Sequence, residues 1–357
     1  MTDLIEKNIL LAEHTTIGLG GAARYFARCD TVNKIIEALH FALDHKLRLH
    51  ILSGGSNTIF SDDGFDGLVI KIDLQGVEFS DTSNNQVLVT AAAGESWDNF
   101  VTACVKHDLA GLECLSGIPG NVGGTPVQNV GAYGQAVSDT IASVHAVSLT
   151  DFKTTNFTNR DCRFGYRTSR FKTDDAGRYI ITAITFSLIP GGAPVIAYPE
   201  LVERIEEYKK THPKTKQTTL SLIRDTVLNL REHKSMVINP QDPDSRSCGS
   251  FFTNYIATAE ELQQIQNHYR ANGGTEDIPT RPAEAGKYKI SAAWLVEHGG
   301  FHKGYRRGNV GISHHHSLAL VNYSGTTKEL LALAKDIQDK VKNKFGITLT
   351  REPVLIE

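Results

Sequence analysis

The sequence predicts an α+β fold in more than one domain. With 357 residues, the chain is long enough for two or three hydrophobic cores. Residues 30–45 repeat apolar side chains at helical spacing, and residues 47–51 then alternate apolar and polar side chains as a strand does. Beyond the turn sequence at 190–194 the predicted elements are mainly helical, which indicates a change of structure there.

The same patterns predict the other elements. The predicted strands lie at residues 47–51, 68–72, 87–93, 144–149, 184–188 and 347–356. The predicted helices lie at residues 30–45, 96–107, 199–210, 219–233, 258–273, 291–298 and 326–345. Thr258 and Glu261 form a capping-box sequence, and Gly346 follows the longest helix as a stop signal.

The composition excludes several classes of protein. Hydrophobic residues make up 40% and charged residues 22% of the chain, which is typical of a globular protein and not of a disordered one. The formal net charge of -3 argues against general binding to nucleic acid or to an anionic membrane. We expect a cytoplasmic protein, because the first residues are too acidic for a secretory signal and no apolar stretch could span a bilayer.

Cysteine and histidine do not predict a metal site. The five cysteines are far apart and form no C-x-x-C pair, which favours isolated reduced thiols. Three histidines stand together at 314–316, but in a strand only His314 and His316 would share a face. With no third ligand evident in the sequence, we predict no bound metal.

Two glycine clusters are the strongest local signals. Gly54–Asn57 follows a predicted strand, and residues 111–134 interleave glycine, proline and apolar side chains. The chain has no P-loop sequence, and the glycines at 18–21 do not complete a G-x-G-x-x-G motif. Glycine lets backbone N–H groups close on an anion such as a pyrophosphate. The first cluster alone favours a tight turn without ligand, whereas the second favours a loop that binds a flat aromatic ring.

Six segments together resemble the UDP-N-acetylenolpyruvoylglucosamine reductase family. In chain order they are HTTIGLGGAARYF, SGGSNTIF, GIPGNVGGTPVQNVGAYG, CRFGYRTSRFK, RSCGSFFTN and REPVLIE. The resemblance extends from about residue 10 to Glu357. Each segment alone is a weak signal, and their order along the whole chain makes the resemblance specific.

The resemblance implies an FAD-binding domain of the vanillyl-alcohol-oxidase (PCMH) class in two α/β subdomains, followed by an α+β substrate-binding domain. We expect the subdomains at residues 1–75 and 76–233 and the C-terminal domain at 234–346, with residues 347–357 returning to the first subdomain. The family binds FAD without a Rossmann fingerprint, which agrees with the lack of a complete G-x-G-x-x-G motif in this sequence. The segment 190–212 implies the longer form of the enzyme, in which a tyrosine covers the substrate.

The activity that the resemblance implies is the reduction of UDP-N-acetylglucosamine-enolpyruvate to UDP-N-acetylmuramate in peptidoglycan precursor synthesis. NADPH and FAD are the implied cofactors, and we expect a monomer. One alternative is an FAD-dependent oxidase of the same fold class that acts on an alcohol or a sugar. Another is a nucleotide-sugar binding protein that has lost its chemistry.

Three residues match the family's catalytic positions. The resemblance places Arg167 on the substrate carboxylate, Ser250 as proton donor, and Glu352 as the acid that assists enolate stabilisation. These residue types suit the chemistry, because hydride addition beside a carboxylate develops negative charge that needs a cation and then a proton. Taken one at a time, they are more typical of a surface charge, a structural serine and an exposed strand residue.

The resemblance also implies binding residues. Those expected on FAD are Ser53, Gly54, Gly55, Ser56, Asn57, Ser116, Gly117, Ile118, Pro119, Gly120, Gly123, Gly124, Gln128, Gly131, Ala132 and Tyr133. Those expected on the substrate are Tyr166, Tyr198, Lys234, Asn254 and His316. His316 stands where several relatives have glutamine, and Cys248 stands close to Ser250 where small residues are usual. A thiol donor at Cys248 is the alternative to Ser250.

Overall fold

A computed structural model describes residues 4–81, 85–213 and 217–357. The chain divides into two compact units. The first contains the residues up to Ile9 together with Ala23–Gly54 and Asp66–Val237, and the second contains Leu10–Ala22, Gly55–Phe65 and Ile238–Glu357.

The helices are α1 (Val32–Asp44), α2 (Trp97–Lys106), α3 (Asn159–Cys162), α4 (Pro199–Thr211), α5 (Leu220–Glu232), α6 (Ala259–Ala271), α7 (Ala292–His298) and α8 (Thr327–Phe345). The strands in the first part of the chain are β1 (Ile5–Leu10), β2 (Ala22–Cys29), β3 (Arg48–Leu52), β4 (Thr58–Phe60), β5 (Phe65–Ile72), β6 (Val77–Asp81), β7 (Val87–Ala92), β8 (Leu109–Ala110), β9 (Gly131–Ala132), β10 (Gln135–Ala136), β11 (Ile141–Ser148), β12 (Thr154–Thr158) and β13 (Tyr179–Pro190). The later strands are β14 (Ser247–Ser250), β15 (Tyr255–Ala257), β16 (Thr280–Pro282), β17 (Tyr288–Ile290), β18 (Arg306–Arg307), β19 (Val310–Ile312), β20 (Ala319–Asn322) and β21 (Val354–Ile356).

The first unit is built on two sheets. One has the strand order β1-β2-β5-β3, with β3 parallel to β5, and the other has the order β12-β11-β13-β7-β6 with antiparallel pairing throughout. One hydrophobic core includes Leu39 of α1, Ile70 of the first sheet and Phe186 of the second. Phe100 of α2 packs on Phe186 with the ring centres 5.1 Å apart, so α2 is held firmly against β13.

Helices α4 and α5 form a smaller core beside these sheets. Its buried members are Leu201 and Ile205 of α4, Ile223, Val227 and Leu230 of α5, and Cys114 of the glycine-rich segment. Tyr133 and Tyr198 pack against the same cluster. The helical periodicity of both segments therefore comes from burial of one face, and that face also supports the glycine-rich loop.

The second unit contains a sheet of order β14-β20-β19-β18, a small sheet β15-β17-β16 and the parallel pair β21–β4. Helices α6, α7 and α8 contribute to its core, which includes Ile265, Leu295 and Ile337. Thr326 caps α8 by accepting the N–H of Glu329, as the capping-box sequence requires. Asp62 also accepts the N–H groups of Thr327 and Lys328 at 2.7 and 2.9 Å.

The predicted helices are confirmed within one or two residues at most ends, because their caps and apolar periods are local features of the sequence. The predicted strand at 347–356 is largely wrong. Only Val354–Ile356 is a strand, and residues 347–353 precede it without regular strand pairing. Ile347 and Leu349 are apolar because they enter the core of the second unit, and not because they belong to a sheet.

The units also differ from the predicted division of the chain. Residues 10–22 and 55–65, which we assigned to the first subdomain, lie in the second unit. The physical reason is hydrogen bonding between segments that are distant in the sequence. Strand β21 pairs with β4, and Thr16 Oγ1 donates to the carbonyl oxygen of Ser247 at 2.6 Å. Val354–Ile356 thus pairs with Thr58–Phe60 within the second unit.

Among the described helices, none combines the length and apolar character that a membrane span requires.

We predict that Asp62→Ala lowers the free energy of unfolding by about 1 kcal/mol, because the first N–H groups of α8 lose a charged acceptor. Urea denaturation measures this change. Asp63→Ala is the matched control, since Asp63 is an exposed neighbour that accepts no hydrogen bond from α8 among the described residues. An equal loss in both variants would contradict a capping role for Asp62.

Candidate active site

The glycine-rich loop, residues 111–134, is held near its start by charged side chains of α2 and α5. Asp98 accepts the N–H of Gly117 at 2.5 Å, and Arg231 donates to the carbonyl oxygen of Gly117 at 3.1 Å. Arg224 makes two hydrogen bonds of 2.7 Å to Asp98. Burial acts to raise the pKa of Asp98, but the hydrogen bonds from Arg224 and Gly117 hold it below its ordinary value. Both backbone groups of Gly117 are thus fixed by charge-assisted bonds.

The glycines are required because two loops approach each other closely. A Cβ atom on Gly54 would lie 2.4 Å from the Cα of Gly120, and one on Gly123 would lie 2.6 Å from the Cβ of Ala93. Neither position has room for a side chain, because backbone or core atoms stand in the way. Glycine at these positions therefore lets the two backbones come into direct contact.

A buried hydroxyl lies beside this contact. The Oγ of Ser53 is buried and has no hydrogen-bond partner in the part of the chain that the structure describes. A Cβ on Gly124 would lie 3.2 Å from the same oxygen. Buried polar atoms without a partner are rare, and this one indicates a ligand group. The hydroxyl and the glycine-lined backbone fit the predicted FAD site, although the predicted role of each of these residues stays a prediction.

Arg167 is hydrogen-bonded to the glycine-rich loop near its C-terminal end. Its guanidinium donates to the carbonyl oxygen of Gly131 at 2.9 Å and lies 3.5 Å from that of Asn129. Asn129 in turn donates to the carbonyl oxygen of Gly165 at 3.1 Å. The backbone of Arg167 has φ +54°, the left-handed region that non-glycine residues seldom adopt. Arg167 is therefore a half-buried, positioned cation, and Tyr166 beside it is exposed.

Three other predicted residues meet in the first unit. The rings of Tyr133 and Tyr198 are 5.3 Å apart in an edge-to-face arrangement, and Lys234 Nζ lies 6.0 Å from the ring centre of Tyr133. Lys234 forms an ion pair of 2.5 Å with Glu200, which our sequence analysis did not identify. Burial raises the pKa of Tyr133 to about 12, so its hydroxyl stays protonated. Glu200 lies in the first turn of α4, two residues after Tyr198. Its partner Lys234 is distant in the sequence, so no local sequence signal predicts the ion pair.

In the second unit, Ser250 and Glu352 lie on adjacent stretches of backbone. Glu352 donates its N–H to the carbonyl oxygen of Phe251 at 2.9 Å, and the side chain of Asn57 donates to the carbonyl oxygen of Glu352 at 3.3 Å. Ser250 ends β14 and pairs with Ala319 of β20. Glu352 precedes β21, so our placement of it on the terminal strand is wrong, and it is half-buried rather than exposed.

Cys248 differs from Ser250 in its surroundings. The register of β14 shifts between Ser247 and Ser250, and Gly249 adopts φ +70°, so the segment is not regularly extended. Cys248 lies in the core of the second unit, where burial raises the pKa of its thiol to about 12. Ser250 is half-buried. These surroundings favour Ser250 over Cys248 as the group that meets a ligand.

The three histidines belong to a turn and not to a strand. They lie in the turn between β19 and β20, because Asp244 binds the start of that turn. The carboxylate of Asp244 accepts the N–H of His314 at 2.6 Å, the hydroxyl of Ser313 at 3.0 Å and the hydroxyl of Tyr323 at 2.8 Å. His316 Nδ1 accepts the N–H of Leu318 at 3.1 Å, which orients its ring.

The last predicted residue, Asn254, also lies in the second unit. Its Oδ1 accepts the N–H of Ala292 at the start of α7, at 3.0 Å. The predicted site residues thus form two groups. The first unit contains Arg167, Tyr166, Tyr198 and Lys234 with most of the glycine-rich loops, and the second contains Ser250, Asn254, His316 and Glu352. The loop Ser53–Asn57 passes from one unit to the other at Gly54–Gly55.

The charged residues that position the loop were not among the predicted site residues. Asp98, Arg224 and Arg231 all belong to amphipathic helices whose apolar faces we identified. Arg224 and Arg231 follow the buried residues Ile223 and Leu230 directly. A pair of arginines seven residues apart, next to an apolar stripe, was the available signal that α5 faces an acidic or carbonyl-rich partner.

The fold and the glycine-lined, hydroxyl-bearing loops define an FAD-binding oxidoreductase. Residues 23–151 match the model of an FAD binding domain, and residues 241–356 match that of the UDP-N-acetylenolpyruvoylglucosamine reductase C-terminal domain. The chain belongs to the UDP-N-acetylenolpyruvoylglucosamine reductase family. The predicted fold class, an FAD-binding domain followed by a second α+β domain, is confirmed.

Individual relatives extend over the whole chain. The chain is 42% identical to the UDP-N-acetylenolpyruvoylglucosamine reductase of Thermobifida fusca, over 100% of this chain and 99% of that protein. It is 41% identical to that of Streptomyces avermitilis, over 97% of this chain and 93% of the relative. The crystal structure of the enzyme from Thermus caldophilus matches with a TM-score of 0.65 at 22% identity, covering 98% of both chains, which supports the fold.

We predict that Gly54→Ala purifies with little or no flavin. A methyl group cannot lie 2.4 Å from the Cα of Gly120, so the two loops must separate. The ratio of flavin to protein absorbance measures the loss. Gly177→Ala is the control, because a Cβ there meets no atom within 4 Å and only its φ of +71° is strained. Full flavin content in Gly54→Ala would show that the cofactor does not need this loop contact.

We predict that Asp244→Asn lowers the free energy of unfolding by about 2 kcal/mol at pH 7, since a buried carboxylate loses charge-assisted bonds. Burial acts to raise the pKa of Asp244, but hydrogen bonds from Tyr323 and His314 lower it below its ordinary value. The stabilisation is therefore complete above the unfolded pKa and is lost as the pH falls through the lower folded pKa.

Denaturation at a series of pH values tests this prediction. The difference between wild type and Asp244→Asn should shrink below about pH 4. Asp339→Asn is the surface control, because Asp339 pairs with Lys335 in an exposed ion pair that contributes little. A difference that stays constant down to pH 2 would contradict a charged Asp244.

Proposed function

We propose that this chain catalyses the NADPH-dependent reduction of UDP-N-acetylglucosamine-enolpyruvate to UDP-N-acetylmuramate. Membership in the reductase family supports this, and the observation that carries it is the anchoring of Arg167 to the carbonyl oxygen of Gly131. Bound FAD would supply the hydride that passes from NADPH to the enolpyruvyl double bond. The remaining requirements of the reaction fall on side chains of this chain.

Arg167 would bind the substrate carboxylate. Reduction at the carbon β to that carboxylate develops negative charge on it, and a guanidinium stabilises such charge without losing its own proton. The contact with Gly131 places this cation on the loop that is expected to hold the flavin. Binding the substrate and positioning it against the cofactor would thus depend on one stretch of backbone.

Ser250 would deliver the proton to the carbon α to the carboxylate. Its neighbours Phe251 and Phe252 are buried, so the backbone on its C-terminal side is fixed in the core. Glu352 would assist from the adjacent backbone stretch, where its N–H binds Phe251. A hydroxyl held in this way can be placed at one defined atom of a substrate, which is what general acid catalysis needs.

Tyr198 and Lys234 would bind the diphosphate of the substrate, with Tyr166 nearby on the segment that carries Arg167. Lys234 is paired with Glu200, so a phosphate that reaches the ammonium group has to compete with this carboxylate or share the cation with it. Asn254 would contact the substrate, and His316 would contact the substrate and the nicotinamide. Their amide and imidazole groups are oriented by Ala292 and Leu318.

The wider setting is part of the same proposal. The enzyme would act in peptidoglycan precursor synthesis, and so in cell wall biogenesis, cell shape and cell division, as a monomer in the cytoplasm. Family membership and the presence of residues of the expected types at 167, 250 and 352 favour this function over an FAD-dependent oxidase acting on an alcohol or sugar.

Flavin absorbance tests the function directly. The purified protein should be yellow, should bleach when NADPH is added without oxygen, and should regain its colour when UDP-N-acetylglucosamine-enolpyruvate follows. Bleaching by an alcohol or a sugar, with fast recovery in air and none with the enolpyruvyl compound, would establish the oxidase instead.

We predict that Ser250→Ala keeps flavin reduction by NADPH but slows recovery with the enolpyruvyl substrate by roughly 10² to 10⁴-fold, the usual loss for a positioned acid. Ser250→Cys should keep part of the rate, because a thiol can also donate a proton. Stopped-flow absorbance separates the two half-reactions. Cys248→Ala is the control and should recover at the wild-type rate; the reverse pattern would make Cys248 the donor.

A further inference from the structure

Glu113 is a carboxylate at the centre of the first unit that the proposed mechanism does not use. Its side chain is completely buried. It accepts the N–H of Gly111 at 2.8 Å, the side-chain amide of Gln135 at 2.8 Å and the N–H of Val195 at 3.0 Å. Every one of these partners is a donor, so the position suits a carboxylate and does not suit the isosteric amide of glutamine.

The three partners belong to three different segments. Gly111 begins the glycine-rich segment, Gln135 belongs to the hairpin that carries Tyr133, and Val195 stands three residues before Tyr198. The hairpin is bound a second time, because Gln135 Oε1 accepts the N–H of Cys114 at 2.8 Å. One carboxylate thus joins the backbone near both tyrosines of the predicted substrate site.

Val195 is held at both of its backbone groups. Its N–H binds Glu113, and its carbonyl oxygen accepts a hydrogen bond of 3.2 Å from the thiol of Cys114. Burial raises the pKa of this thiol to about 12, which keeps the proton that it donates. The Val195 side chain is 40% exposed, so hydrogen bonds to its backbone rather than burial of its side chain fix its position.

This anchor also restricts the turn at residues 190–194. Strand β13 extends to Pro190, and Gly191 donates its N–H to the carbonyl oxygen of Asp108 at 2.8 Å. The turn is therefore held at Gly191, near its start, and again at Val195, just after its end. Residues Ile196–Tyr198 are the stretch left between Val195 and α4, which begins at Pro199. A movement of Tyr198 over a ligand is confined to this short stretch.

We propose that Glu113 is a positioning residue for substrate closure: by holding Val195, it sets the place from which Tyr198 closes over the UDP-linked substrate. The proposal rests on the proposed role of Tyr198. Glu113 itself touches neither the substrate nor the reacting atoms. It acts through the backbone of Val195, whose N–H it accepts.

Glu113→Gln/Gln135→Glu tests the proposal with the smallest change of shape. In the wild type one oxygen of Glu113 accepts both the amide of Gln135 and the N–H of Val195. In the double variant the introduced amide turns its NH₂ group toward the introduced carboxylate, so the same NH₂ group faces the N–H of Val195, which loses its acceptor. Amide hydrogen exchange at Val195 should become at least about tenfold faster. The KM for UDP-N-acetylglucosamine-enolpyruvate should rise about ten- to hundredfold, while flavin reduction by NADPH changes less than about twofold.

Gln135→Met is the matched control. It removes a polar partner from the same buried cluster and keeps the bond between Glu113 and Val195. We expect slow exchange at Val195 and a KM within about threefold of wild type. If this double variant does not fold, Glu113→Ala replaces it, because alanine removes both acceptor oxygens, including the one that binds Val195. The same changes in exchange and KM are expected.

Two results would overturn the proposal. One is unchanged exchange at Val195 in the double variant or in Glu113→Ala. The other is fast exchange with an unchanged KM, which would show that Val195 does not control closure. Failure of the proposed function is separate, because wild-type protein would then not recover its colour with the enolpyruvyl substrate. The exchange rates at Val195 still measure whether Glu113 holds the segment in that case.

Discussion

The position of the glycine-rich loop depends on the charge-assisted hydrogen bonds that Asp98 and Arg231 make with the backbone of Gly117. A loop of this composition has little intrinsic preference for one conformation, because glycine carries a large entropy in the unfolded chain. Two helices that pack into hydrophobic cores therefore supply the order that the loop lacks. The ion pair of Asp98 with Arg224 connects these helices, so the loop follows their packing and not its own propensity.

Both units use a carboxylate that accepts several donors to hold an irregular segment. In the first unit Glu113 binds three segments, and in the second Asp244 binds the turn that contains the histidines. A buried carboxylate is costly without such partners, and each of these carboxylates accepts hydrogen bonds from backbone as well as side-chain donors. Irregular backbone near a ligand site has no neighbouring strand to pair with, so these side chains take over that role.

The helices were predictable because their signals are local. The apolar stripe of α5 and the capping box of α8 each lie within a few turns of sequence. The terminal strand was predicted wrongly, and the histidine turn was not predicted, for the opposite reason. Their conformations depend on β4 and on Asp244, which are distant in sequence. Periodicity within a segment does not reveal such partners.

The candidate site was predictable in the same uneven way. Arg167, Ser250 and Glu352 were identified by resemblance to a family, whereas composition and spacing alone favoured structural roles for them. Glu200 and Glu113 were missed, although both are close to predicted residues in space. An ion pair with Lys234 or a bond to Val195 leaves no trace in the neighbouring sequence.

The parallel pairing of β21 with β4 has a consequence for the order of folding. Asn57 and Glu352 are 295 residues apart in the sequence, and the first unit is inserted between the segments that form the second. Loop closure over such a distance costs least once the intervening chain is already compact. During synthesis, the segments 10–22 and 55–65 leave the ribosome long before the strand that completes their unit. The first unit is thus expected to fold earlier. Until β21 has been synthesised, β4 has an unpaired edge with which a chaperone or another chain can pair.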